Sequence, residues 1–560
     1  IDTVGPNSAN PDRVLYDDYY KGFAPALGFS WSIPYFGKDK TVLRMGYGIT
    51  RPRAQSFLGI QGSVSDFGES VTQIPTTITF EDSVTLPLVP TRHPLEEVPL
   101  TDRTQTFTNY EPNFMPPIVQ NYNVSLEREI SRTMTVSFRY VGNTSTHLVS
   151  GTAINAANIF ENGILEAFNT TIAGGNAPLF DQIFMGLNVG GKVVDGTTWT
   201  GSAALRNYST TRRYLANNSP AALADWLNTT NALTGVRGGL LRRAGLPENF
   251  IVVNPQYANV RSVASFARSS YNSGVIEFQK RFSSAWTFQS SFTWAKTLLQ
   301  GGGGDGTNTY RNPRNFGLDK AQASYDRRFA WKANGTYQLP FGPGKPFLNS
   351  KDTALSSFLG KVLGGWQLGG ILTLSSGQPL AITASGGQTF TNGGTLTASV
   401  NGKLPENLGK VTRVANGVVY FPDLVQGDDP RIGNLTTQQN LRNFSTMKAL
   451  SYNGEVLFVN AAPGTVGNLP LRTPWTGPSM FNLDMNVARR IAIKERYSVE
   501  LRLDAISVTN TPHFRNPTTD INSVNFGRID RPASAGANQY TMPAPFEGNR
   551  VLVINIRVNF

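Results

Sequence analysis

The chain contains no cysteine. Disulfide scaffolds, thiolate nucleophiles and cysteine-ligated zinc or iron–sulfur centres are therefore excluded. Charge is scarce: Asp, Glu, Lys and Arg make up 16% of the 560 residues, well below the quarter usual for globular chains. No apolar run approaches the eighteen or so residues of a transmembrane helix, which leaves spanning strands open. The only histidines are His93, His147 and His513. They lie far apart without metal-ligand spacing, so no metal or cofactor is expected. Neither G-x-S-x-G nor H-E-x-x-H occurs, and no enzyme is expected. The basic residues behind the formal charge of +12 are scattered among Asn, Thr and Gly. They form no arm, so nucleic acid is not an expected partner. No basic-then-apolar leader stands at Ile1, which reads as the start of a processed or partial chain.

What the chain does have is glycine (55), proline (34) and alternation. In the last twelve residues Leu552, Ile554, Ile556, Val558 and Phe560 fall on one face of an extended strand, and Asn555, Arg557 and Asn559 on the other. The same period recurs at Leu27–Ile33, Leu43–Ile49, Tyr122–Leu126, Met134–Tyr140, Ile276–Phe282, Trp286–Trp294, Phe329–Leu339, Trp366–Leu374, Phe481–Val487 and Tyr497–Leu503. With the terminal strand that makes about eleven. On Trp366–Leu374 the pattern is less clean, because Ile371 lies on the other face. Glu500, Arg502 and Asp504 share one polar face; three charges would be costly in a sandwich core but cost little beside a wet lumen. The expected fold class is all-β: a transmembrane antiparallel β-barrel with an apolar face toward lipid and a polar face toward the lumen. A mean hydropathy of −0.23 fits strands that are half polar.

A free C-terminal phenylalanine closing such a strand is the ending seen in bacterial outer-membrane barrels. With the C-terminus periplasmic, the short links 34–40, 131–132, 283–285 and 490–496 fall on the periplasmic side, with one longer link at 340–364. The stretches 51–120, 143–269, 298–325, 378–478 and 511–548 all fall outside, as the rule of short periplasmic turns and long outer loops requires. The domain reading is therefore barrel over 1–560, a large extracellular cap insertion at 143–269 and a second large extracellular loop at 378–478. Ser219-Pro220 has N-cap and N1 chemistry, and Ala221 to Leu233 reads as a helix stopping at Gly235. Leu179, Phe180, Ile183 and Phe184 suggest another short helix. Eleven strands cannot close an all-antiparallel barrel, and an open edge in lipid leaves backbone groups unpaired. Part of the barrel is expected to lie outside this sequence.

Several segments resemble the C-terminal barrel half of TonB-dependent outer-membrane receptors, in particular the Oar-like group. They are Asn121-Tyr-Asn-Val-Ser-Leu-Glu-Arg-Glu-Ile130, Lys280-Arg-Phe282 with Phe292-Thr-Trp-Ala-Lys296, Asp326-Arg-Arg-Phe329, Leu339-Pro-Phe-Gly342, Gly365-Trp366 with Ser376-Gly-Gln-Pro379, and Thr509-Asn-Thr-Pro-His-Phe514. The resemblance covers nearly all the strands and little of the loops. It implies a 22-stranded barrel around an N-terminal plug that contacts a TonB-type energising complex. This chain would supply the last eleven strands, without the plug. The resemblance transfers no functional residue, because the best-defined ones belong to the absent part.

Two motifs remain. Gly301, Gly303 and Gly306 match G-x-G-x-x-G, but Asn308, Asn312 and Pro313 follow where a dinucleotide site needs a helix, so the stretch reads as an outer loop. Tyr310, Arg311 and Arg314, with Arg327 and Arg328, form a basic outer region. Tyr310, Arg311 and Arg314 are the ligand-binding candidates for an anionic solute; the plainer reading is a solvated loop beside lipopolysaccharide phosphates. The expected function is energised import of a bulky solute across the outer membrane. The alternatives are a structural or adhesive barrel and a passive porin.

Overall fold

In the computed structural model the described residues are 10–13, 17–52, 98–283, 285–300, 310–342, 344–348, 354–406, 408–494, 497–529 and 548–560. His93, the Gly301–Gly306 stretch, Ser284 of link 283–285 and residues 495–496 of link 490–496 lie outside them.

Eleven strands follow one another in chain order through one sheet, each antiparallel to the next. They are β1 (Ala26–Ser32), β2 (Thr41–Thr50), β3 (Ile118–Ser131), β4 (Met134–Ala153), β5 (Tyr257–Ser283), β6 (Trp286–Gln300), β7 (Phe329–Gln338), β8 (Trp366–Ser375), β9 (Met480–Lys494), β10 (Tyr497–Ile506) and β11 (Val551–Asn559). The sheet is not closed: among the described residues β1 and β11 stand at its two ends and do not pair with each other. Register sorts the side chains by chemistry. One continuous row across nine strands reads Trp31, Leu43, Leu126, Phe138, Ile276, Phe292, Trp331, Leu374 and Phe481. The row beside it reads Glu127, Ser137, Glu277, Ser291, Lys332, Thr373 and Asn482. Ile371 stands opposite Asn334 and Asp484, on the polar side, as the alternation indicates.

The apolar face has no protein cover. Leu27, Trp294, Ile554 and Ile556 are all more than half exposed, whereas a water-soluble protein buries such a face or keeps it to isolated residues. The opposite face is knit by ions. Arg44 donates to Glu127 at 2.8 Å, Arg139 pairs with Glu277, and Arg502 Nε donates to Asp504 Oδ1 at 2.7 Å. These are half-wet pairs, each worth little alone; their value is that they place charge on one side of the sheet.

Two strands exceed what a bilayer needs. β5 has 27 residues, roughly 90 Å at ~3.3 Å per residue, where 9–11 residues span. β4 runs to Ala153 and β5 starts at Tyr257, so the part of 143–269 outside these two strands is 154–256. Period-two alternation is lost above Asn143 because the ladder shifts between Ser145 and Leu148, with His147 at φ +56. A β-bulge of this kind bends a strand and changes which face each side chain takes. Above it, Gln105–Tyr110 adds to β5 in parallel, a pairing the sequence pattern did not reveal.

Residues 154–256 hold six helices: α1 (Ile164–Ile172), α2 (Pro178–Phe184), α3 (Gly201–Asn207), α4 (Ser209–Ala216), α5 (Pro220–Thr229) and α6 (Gly239–Arg243). They enclose their own core, with Phe168, Phe180, Phe184, Leu205, Leu215 and Leu223 fully buried. α5 begins at Pro220 as its sequence indicates, but stops at Thr229, short of Leu233. Thr230 turns extended, and Arg237 Nη1 donates to Thr229 O at 2.7 Å, satisfying the helix end early. Ser219 stands at the N-cap position without capping: its hydroxyl donates to Gly386 O in another loop. A further helix, α7 (Ala354–Leu363), lies in the longer link between β7 and β8, a helix the sequence reading does not include.

The helical cap carries a pH test. Burial on α5 raises the Asp225 carboxyl above its ordinary value. A raised acid binds its proton more tightly when folded, so cap stability is greatest below the unfolded pKa and falls as pH rises through the folded one. Asp225→Asn is expected to stabilise the cap at neutral pH and to change nothing in strong acid, as read by thermal melts of the helical signal at both pH values.

Candidate functional site

The polar face of the sheet deepens into a cavity of about 650 Å³ where β4 to β7 approach the long-loop end. Its wall is rich in hydroxyls: Ser145 from β4, Ser269 and Tyr271 from β5, Ser291, Thr293 and Thr297 from β6. These residues share the wall because inward positions recur every second residue and the register sets Tyr271 opposite Thr297 and Ser291 beside Lys332. Lys332 is exposed and brings the cation; Tyr325 is exposed and brings a ring at the rim, with Arg327 beside it. Asp326 is the positioning group. It is buried, and it accepts from Thr297 N (2.9 Å) and from Gln322 Nε2 (3.2 Å), fixing the rim to β6. Arg327 Nη1 donates to Ser376 O at 2.6 Å, so the rim is also tied to β8. Hydroxyls, an ammonium and an aromatic edge are suited to binding a polar, oxygen-rich or anionic solute. Among the described residues no three His, Asp or Glu side chains gather where they could hold a metal ion.

The three sequence candidates lie elsewhere, in the layer of loops above. Tyr310 is buried, its hydroxyl 2.6 Å from Ser150 Oγ and its ring against Phe266 and Phe316. Arg311 is buried with Asp319, and its guanidinium also donates to Thr397 Oγ1 (2.7 Å), Leu469 O (3.0 Å) and Leu318 O (2.7 Å). Those contacts tie loop to loop and engage all three guanidinium nitrogens. Arg314 is half exposed; it grips Glu161 at 2.5 and 3.0 Å and lies over the Phe160 ring. That hydrogen bond holds the Glu161 carboxyl below its usual range. The structure therefore does not bring Tyr310, Arg311 or Arg314 to the cavity; only Arg327 of the basic region lines it. His513 Nε2 donates to Phe481 O (2.8 Å), and His147 sits at the β4 bulge.

The loop layer is built as two units that clasp each other. Residues 378–478 form a four-stranded sheet and share a core, including Leu380, Phe421, Leu450, Phe458 and Trp475, with Ile521 of the following loop. Tyr420 donates to Thr476 O at 2.6 Å, and burial pushes its hydroxyl up to about 12. Arg206 of α3 is buried and reaches Gln438 Oε1 (3.0 Å) and Gln439 Oε1 (2.6 Å), joining the helical unit to the 378–478 unit. The residues that line the cavity were present in the alternation as the polar faces of β6 and β7. What period two cannot show is how four such faces curve around one space.

The family model for the outer membrane beta barrel domain matches residues 1–542. Three solved structures are similar at low identity. The outer membrane transporter YddB from Escherichia coli is 8% identical, with a TM-score of 0.38, 95% of this chain and 40% of that one covered. BauA, the ferric preacinetobactin receptor from Acinetobacter baumannii, is 8% identical, with a TM-score of 0.32 and coverages of 95% and 36%. The ferripyoverdine receptor of the outer membrane of Pseudomonas aeruginosa is 7% identical, with a TM-score of 0.30 and coverages of 90% and 31%. The chain thus spans well under half the length of each of these structures. No curated protein matches.

Proposed function

The chain belongs to the outer membrane β-barrel domain family, and from that footing we propose that it is the barrel-closing half of a TonB-dependent receptor that imports a bulky, oxygen-rich or anionic solute. The observation that carries this reading is the hydroxyl-lined cavity with Lys332, on the polar face directly beneath a folded loop layer. Parity supports the partial barrel. β1 and β11 run the same way, so antiparallel closure requires an odd number of further strands between them. The long loops then face outward and the short turns face the periplasm, with the C-terminus. A plug outside this sequence occupies the lumen and contacts the energising complex. The Oar-like group is the subfamily that the strand segments favour.

The test is depletion of solutes from the growth medium by three strains: one lacking the gene, one lacking the energising complex and one carrying Lys332→Glu. Energised import predicts that both deletions leave the same solutes behind. Lys332→Glu should weaken uptake of the anionic ones by roughly tenfold to a hundredfold, the value of a charged hydrogen bond. A porin would tolerate loss of the energising complex. A structural or adhesive barrel would change no solute at all.

A further inference from the structure

The outward apolar surface is not even. Between β6, β7, β8 and β9 it opens into a groove of about 470 Å³ with an almost wholly apolar lining. Its floor is Gly335, paired across the ladder with Gly370; its walls include Trp286, Phe288, Tyr337 and Met485. Local packing accounts for one glycine and not the other. A Cβ at Gly335 would come within 2.6 Å of Thr287 O, whereas a Cβ at Gly370 would meet nothing closer than Asp484 O at 3.8 Å. A side chain has room at 370, and its absence keeps the groove open.

The groove's foot lies at the short-turn end, where Trp286 begins β6 and Trp366 begins β8. A cation sits against each tryptophan. Lys280 Nζ is 4.4 Å from the Trp286 ring centre and Arg489 Cζ 5.7 Å from that of Trp366; Lys280 is buried, whereas Arg489 is partly exposed and puts positive charge at the foot. Arg489 Nη1 also donates to Val362 O in the last turn of α7, at 2.7 Å. α7 seats Gly360 close against Leu348 O and leaves Phe358 and Val362 exposed on its other side. Exposed apolar side chains on a short helix, next to a tryptophan–cation pair at the end of a lipid-facing strand, have the chemistry of the headgroup boundary.

We propose that this groove is a site for one anionic phospholipid of the periplasmic leaflet. One acyl chain lies along the Gly335–Gly370 floor, the phosphate sits at Arg489, and α7 beds in the same headgroup layer. The occupant follows from continuity with the lipid-facing surface and from the charge at its foot. The assignment rests on the outer-membrane orientation proposed above.

The test is native mass spectrometry of the protein purified from outer membranes in mild detergent, titrated with phosphatidylglycerol or phosphatidylethanolamine. Wild type is expected to retain one phospholipid and to favour phosphatidylglycerol. Gly370→Leu fills the groove and is expected to lower retention at least tenfold. Arg489→Gln should keep retention and lose the headgroup preference. The site is overturned if wild type retains no lipid, if Gly370→Leu retains as much, or if Arg489→Gln keeps the preference. Heat-dependent electrophoretic mobility is measured first on all three proteins. A wild type without it contradicts the barrel reading itself, and a variant without it is replaced by Gly370→Val or Arg489→Lys, judged by the same retention and preference.

Discussion

Asp319→Asn is expected to cost the loop layer about 3–5 kcal/mol, the penalty for leaving a buried charge without its counter-ion. Both members of the Arg311–Asp319 pair are almost fully buried. Asp319 takes the Arg311 backbone N–H at 2.7 Å and Nε at 2.6 Å. The remaining donors reach Thr397, Leu469 and Leu318, so three separate stretches of loop converge on one guanidinium. Removing the carboxylate leaves the cation buried and those stretches held only by neutral acceptors. Limited proteolysis reads the effect: cleavage within 378–478 should accelerate while the strands stay protected, since local opening need not unfold the sheet. The double change Arg311→Met with Asp319→Leu removes both charges and should recover much of the loss. Equal protection of Asp319→Asn and wild type would mean that the pair does not organise the layer.

The second large effect separates the two faces of the sheet. Phe292 stands outward in the middle of β6, and Ser291 stands inward between Glu277 and Lys332. Phe292→Arg is expected to destabilise the membrane-inserted protein by about 2–4 kcal/mol, the cost of a basic side chain near the bilayer midplane. Ser291→Arg, one residue away, is expected to cost under about 1 kcal/mol because it enters a wet face already carrying Glu277. Denaturant titration of folding into lipid vesicles measures both. Similar costs for the two variants would mean that the faces are not lipid and water.

These contrasts were legible in the residues because a strand declares its faces every second position. All eleven strands and the misplaced Ile371 follow from that period, and the sheet takes the strands in chain order. The limits have equally physical causes. Above Asn143 the β4 ladder bulges at His147, so alternation changes phase and the strand looks like loop. α7 is short, and its apolar spacing sits in a stretch dominated by Pro and Gly turn signals. Ser219 has the composition of a cap, but a carbonyl from a distant loop competes for its hydroxyl. Tyr310 and Arg311 looked like exposed recognition residues because sequence shows a cation and not its counter-ion; Asp319, eight residues on, and Thr397 are what bury it. The cavity residues carry no motif. Ser291, Thr293 and Lys332 are ordinary polar-face positions until three-dimensional register sets them side by side.

The absence of cysteine from these 560 residues makes the most direct test a clean one, because no thiol within them competes with an introduced one. Single substitutions along β6 are reacted in intact outer membranes with a water-soluble maleimide. Gln289→Cys, Ser291→Cys and Thr293→Cys should label, and Phe288→Cys, Phe292→Cys and Trp294→Cys should not, giving a period of two. Uniform labelling, or labelling at Phe288, Phe292 and Trp294 in place of their neighbours, would contradict a sheet with one face in lipid and one in water.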